Sequence, residues 1–127
     1  MTQNNTFLFP FEKLEIWQLA IDLSSDIYNL TINFPADERF GITNQIRRAS
    51  TSVSANIAEG SGRTGPKDKA KFVQIAYSSL LEVLSFLIVA QKLNFLPYEE
   101  LELEREKIAK LANKINAFHK TLKARID

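Results

Sequence analysis

Apolar residues recur along this chain at spacings of three and four in four separate stretches, and proline and glycine mark the gaps between them. The first stretch runs from about Phe11 to Thr31. There Leu14, Trp17, Ala20, Ile21, Leu23, Ile27, Tyr28 and Leu30 form a broad apolar face, ended by Pro35. The second covers about Ile42 to Glu59, where Ile42, Ile46, Ala49, Val53 and Ile57 make the stripe of a helix facing a partner. Gly60 and Gly62 follow as C-terminal breakers. A third stretch opens at Pro66, suited to the first helical position because its missing N–H would have no partner there. Residues from Phe72 through Ile75, Ala76, Leu80, Val83, Leu84, Phe86, Leu87 and Ala90 to Leu93 make it apolar over more than half its circumference, so a central place is expected. After Pro97, Leu101, Ile108, Leu111, Ile115, Phe118 and Leu122 follow near-heptad steps. No alternating strand pattern competes. The pattern predicts an all-α protein, an antiparallel up-and-down four-helix bundle. One domain spans residues 1–127, with a short N-terminal tail over about 1–10.

Composition narrows the chemistry. With 127 residues and 45% apolar content, one core forms without staples. The absence of cysteine excludes disulfides, thiolate metal sites and a cysteine nucleophile. Met1 to Thr6 carries no basic residue, and no run of consecutive apolar residues approaches the roughly 20 that span a bilayer. The expectation is a soluble, unexported, cytoplasmic protein with no membrane partner.

The net charge of +1 conceals an uneven distribution. Arg39, Arg47, Arg48, Arg63, Lys67, Lys69 and Lys71 face only Glu59 and Asp68 across the middle of the chain, whereas the first 38 residues are acidic. The fourth helix opens with Glu99, Glu100, Glu102, Glu104 and Glu106 and closes on lysines and Arg125, an order that complements the helix dipole and reads as a solvated surface.

Candidate catalytic groups fall away on inspection. The single histidine, His119, has Asn116 rather than a glutamate three positions before it, so the Glu-x-x-His signature of a di-iron bundle is missing. The loop Gly60-Ser61-Gly62-Arg63-Thr64-Gly65-Pro66-Lys67 superficially resembles a phosphate-binding loop. Pro66 breaks its Gly-Lys-Ser/Thr ending and removes an N–H donor, and a helix rather than a strand precedes it. What survives is Arg63, Lys67 and the start of the third helix as a phosphate contact. No catalytic residue, metal or cofactor is assigned. Trp17, Tyr28 and the Phe7, Phe9, Phe11 cluster have the chemistry to stack on bases, but core packing is the expectation for them.

The second helix carries a polar seam. Gln45, Arg48, Ser52, Asn56 and Glu59 fall within an arc of roughly 80° beside its apolar stripe. Two readings fit: a hydrogen-bonded network between helices or subunits with Arg48 and Glu59 as charged members, or a groove for a polar ligand. The small neighbours Ser50, Ser54, Ala55 and Ala58 favour the first. Arg47 points away from both stripes on the helical wheel, toward solvent or a phosphate.

Taken in order, Phe11-x-x-Leu14-x-Ile16-Trp17-Gln18-x-Ala20, Tyr28, Phe34-Pro35-x-x-Glu38, Gln45-Ile46-Arg47-Arg48-Ala49, Asn56-Ile57-Ala58-Glu59-Gly60, Ile75-Ala76 and Glu82 resemble a bacterial four-helix-bundle family. That family is encoded within intervening sequences of large-subunit (23S) ribosomal RNA genes. The resemblance spans nearly the whole chain. Ser54 stands where the family often has proline, and Tyr77-Ser78-Ser79 replaces its usual Gly-Ser segment. The resemblance implies an up-and-down bundle, a homopentameric ring as in related members, and no enzyme activity. A further likeness to the pentameric accessory proteins of diversity-generating retroelements, which bind nucleic acid, points at fold level to RNA or DNA. The resulting expectation is a homo-oligomer that binds structured RNA through Arg47, Arg63, Lys67, Lys69 and Lys71. Gln45, Arg48, Ser52, Asn56 and Glu59 are expected at a bundle or subunit interface. The alternative is a protein-interaction scaffold that does not touch nucleic acid.

Overall fold

The computed structural model describes residues 6–126, and everything regular in that span is helical. A 3₁₀ turn at Pro10–Lys13 leads into α1 (Glu15–Thr31). A second 3₁₀ turn, Ala36–Glu38, precedes α2 (Ile42–Ser61), and α3 (Pro66–Lys92) and α4 (Tyr98–Lys123) complete the bundle. Each helix packs on its neighbours in sequence and α1 closes against α4, so α1 and α3 stand diagonally opposite across the core.

Individual contacts establish the chain directions. Ser24 Oγ of α1 donates to the Ser50 carbonyl of α2 at 3.1 Å, and Arg47 reaches back to Thr31. Between α2 and α3, Ser52 meets Ser79 and Ser61 meets Lys69. Lys114 pairs with Glu15 and Lys107 with Asp26 between α4 and α1. In every pair rising numbers on one helix meet falling numbers on the next. All adjacent helices are antiparallel.

The predicted apolar stripes form the core. Ile27, Ile46, Val53, Ile57, Leu80, Val83, Leu87 and Ile115 are almost wholly shielded from water. Phe34 and Phe95, with ring centroids 5.7 Å apart, close the end where α3 stops. That stop is a Schellman turn: Asn94 takes a left-handed φ of 64°, and the Phe95 N–H bonds the Ala90 carbonyl at 2.9 Å.

At Gly60, α2 comes close to α3. A Cβ there would stand 3.0 Å from Phe72 Cβ and 3.3 Å from the Lys69 carbonyl oxygen. Gly60→Val is therefore expected to lower stability by about 1–3 kcal/mol, read from denaturant unfolding.

Four sequence expectations are corrected. The first helix begins at Glu15 rather than Phe11, because Leu14 has an extended ψ of 127° and the preceding turn holds itself. In that turn the Phe9 N–H bonds the Glu12 carboxylate at 2.9 Å, and the Gln18 side chain donates to the Glu12 carbonyl. Phe7 and Phe9 lie outside the core, stacked edge-on at 5.3 Å on the surface, while Phe11 turns inward onto Trp17. Glu104 belongs to the interior rather than to a solvated face. Finally, α3 is long and apolar enough by composition to cross a membrane. Here its inner side packs on α2 and α4, yet Ile75, Leu81 and Val89 stay exposed on its outer side.

Candidate nucleic-acid interface

Of the five cations expected to contact phosphate, four gather at the α2–α3 junction. Arg63 is held there by Glu59 at 2.9 Å and stacks over the Phe72 ring, 4.5 Å from its centroid. Its guanidinium edge remains partly exposed. Lys69 is committed to structure, since its Nζ donates to the Ser61 carbonyl at 3.0 Å and satisfies an orphan acceptor at the end of α2. Lys67 and Lys71 are exposed and make no ion pair among the described residues.

Arg47 is elsewhere. Its Nε donates to Thr31 Oγ1 at 2.8 Å, and its guanidinium lies over the Tyr28 ring, 4.6 Å from the centroid. It is a strut between α1 and α2, about 20 Å along α2 from the junction at 1.5 Å per residue. The solvent-facing position expected for Arg47 is occupied by Arg48, because α1 lies on the side of α2 to which Arg47 projects.

Topology supplies what the linear charge count missed. Since α3 and α4 are antiparallel, the last turns of α4 lie at the end where α3 begins. Lys120, Lys123 and Arg125, all exposed, join Arg63, Lys67 and Lys71 there. Two basic segments some fifty residues apart in sequence become one basic end of the bundle.

Part of the α2 seam comes together with α3. Gln45, Arg48, Ala49, Ser52 and, from α3, Glu82 line a shallow groove of about 310 Å³. Asn56 Nδ2 donates to the Ser52 carbonyl at 2.8 Å, and Ser52 Oγ shares a 2.9 Å hydrogen bond with Ser79. Glu59 is not joined to Arg48; it sits three turns away, paired with Arg63. Ser79 and Glu82 complete the seam, and the sequence of α2 alone carries no trace of them.

A second polar cluster lies between α1 and α4. Lys107 Nζ bonds Asp26 at 2.8 Å and lies 3.6 Å from Glu104 Oε2, while Glu104 Oε1 is buried without a partner. Burial, and then the negative charge of Asp26, push the Glu104 carboxyl up to about 7. The hydrogen bond that Lys107 donates to Asp26, and then the negative charge of Glu104, hold the Lys107 ammonium above its ordinary range. Asp22, Asp26, Lys107 and Lys110 border an adjoining groove of about 430 Å³. His119 is half-buried near the end of α4, and among the described residues no three His, Asp or Glu side chains converge as metal ligands would.

A family described as 23S rRNA-intervening sequence protein matches residues 12–117, nearly the whole bundle. The chain belongs to that family. Among solved structures, a protein of unknown function from the S23 ribosomal protein family of Bacteroides thetaiotaomicron superposes with a TM-score of 0.75. It is 19% identical, and the match covers 83% of this chain and 98% of that one, which shows a shared fold. A search of curated proteins found no match. Within the intervening-sequence family fold, the basic end and the two polar clusters described above are the surfaces where this chain's chemistry is concentrated.

Proposed function

We propose that this protein is a non-enzymatic cytoplasmic homo-oligomer, a pentameric ring, that binds structured RNA through the basic end of its bundle. The observation that carries the reading is the convergence of Arg63, Lys67 and Lys71 with Lys120, Lys123 and Arg125 at one end of an antiparallel bundle. Six cations from two distant segments make an electrostatic footprint of the kind that tracks a phosphate backbone. A ring repeats that footprint around its rim, raising the local field well above that of a single chain whose net charge is +1. The family description, which ties its members to intervening sequences of 23S ribosomal RNA, supports RNA as the polyanion.

The test is binding of the purified protein to a structured RNA across a salt series, with double-stranded DNA of equal charge as comparator. Tight RNA binding that weakens steeply with salt is expected. Absence of RNA binding at low salt by an assembled oligomer would overturn the reading and leave a protein-interaction scaffold in its place.

A further inference from the structure

Two exposed stripes on diagonal helices match each other in height and character. On α1, Ile21, Tyr28 and Ile32 are 40%, 43% and 70% exposed and follow heptad-like steps along one line. On α3, Ile75 and Val89 are 39% and 43% exposed, with Glu82 midway between them on the same line. Outward apolar residues on a single chain are unremarkable one at a time. Paired stripes, two helical turns or more in length, are the mark of an interface.

The internal contacts fix the relative heights of the two stripes. Ser24 is level with Ser50, and Ser52 with Ser79, so Ser24 of α1 stands level with about residue 81 of α3. Ile21 is then level with Ile75, Tyr28 with Glu82 and Ile32 with Val89, each to within roughly one helical turn. α1 and α3 also run in the same direction. Copies related by rotation about an axis along the bundle sit at equal height, so α1 of one copy meets α3 of the next in register.

Charge fits the same pairing. The Arg47 guanidinium covers the Tyr28 ring, and Glu82, at that height on α3, has no ion pair within its own chain among the described residues. Ser78 and Ser85, exposed beside the α3 stripe, leave room for a neighbouring helix. Both stripes lean toward α2. Seen down the bundle, at 100° per residue, their outward directions differ by roughly 100°. Opposed faces would propagate an open filament, whereas faces inclined this way close a small ring.

We infer that a second copy of this chain docks its α3 stripe onto the α1 stripe, Glu82 meeting Arg47, in a head-to-tail contact that closes the ring. The inference rests on the homo-oligomer reading above and specifies its interface. In the ring α2 faces inward, which places the Arg48 groove around the central opening.

The test uses Ile32→Glu and Val89→Glu, at two exposed positions that take no part in the core, with masses read by light scattering after size exclusion. Each variant alone is expected to be a monomer of 14.5 kDa with undiminished helicity. Each keeps one good face, so an equimolar mixture should give a species of twice that mass and nothing larger. Ile32→Ser and Val89→Ser repeat the test if either glutamate reduces helicity. Wild-type mass retained by the variants would overturn this interface and leave the oligomer standing. Monomeric variants whose mixture stays monomeric would overturn the pairing of α1 with α3. A monomeric wild-type protein would remove both the interface and the oligomer.

Discussion

Replacing Lys67, Lys71, Lys120 and Lys123 together by glutamine should nearly abolish RNA binding at physiological salt and reduce the slope of log affinity against log salt by roughly three. Each phosphate contact releases about one condensed counterion when it forms, so four lost contacts remove most of the entropy that drives association. All four lysines are exposed and lack ion pairs among the described residues, so their neutralisation leaves the bundle's melting temperature nearly unchanged. Arg47→Ala is the informative contrast. It removes a bond to the buried Thr31 and the stack on Tyr28, at the opposite end of α2 from the lysines. Its expected effect is a less stable bundle and, through the lost contact with Glu82 of the next copy, a weaker ring, with the salt slope of the assembled protein unchanged. Should Arg47→Ala flatten the slope as strongly as the lysine set, the RNA would run along the α1–α2 side and not across the basic end.

The four helices were legible because their apolar spacings and their Pro and Gly boundaries agree with each other. Pro66 and Pro97 sit at the starts of α3 and α4, where a missing N–H does no harm. The start of α1 was not legible, since a side chain reaching back to cap a turn, as Glu12 does, leaves no mark on hydrophobic periodicity. Arg47 and Arg48 show a different limit. Adjacent residues diverge by about 100° on a helix, and which one meets solvent depends on where the neighbouring helix lies. The basic end required topology as well as sequence, because Lys71 and Lys120 approach one another only once α3 and α4 are known to be antiparallel. α3 illustrates the risk of reading burial from hydropathy. A helix can be apolar enough to look central and still keep Ile75 and Val89 on an outer face.

Glu104 was the residue most plainly hidden by its own charge. It occupies the heptad position between Leu101 and Ile108, so the pattern that placed those two in the core placed Glu104 there too. Its carboxyl is held near 7 against an ordinary value of 4.5, chiefly by burial and secondly by Asp26. The unfolded chain therefore ionises at this position well before the folded one does. Folding takes up a proton between about pH 4.5 and 7, so stability from this site is full below the unfolded value and declines as pH rises through the folded one. The loss amounts to about 3 kcal/mol by pH 8. Glu104→Gln keeps the shape and deletes the titration. Its expected result is a gain of about that size at pH 8, no gain at pH 4.5, and a flatter stability profile between, measured by urea unfolding at each pH. Asp26 still bonds Lys107 at 2.8 Å in the variant, so the ammonium keeps a partner. A variant less stable than wild type at pH 8 would mean that Glu104 is ionised in the fold and clamped by Lys107, making the α1–α4 contact an ion-pair triad and not an Asp26–Lys107 pair beside a neutral carboxyl.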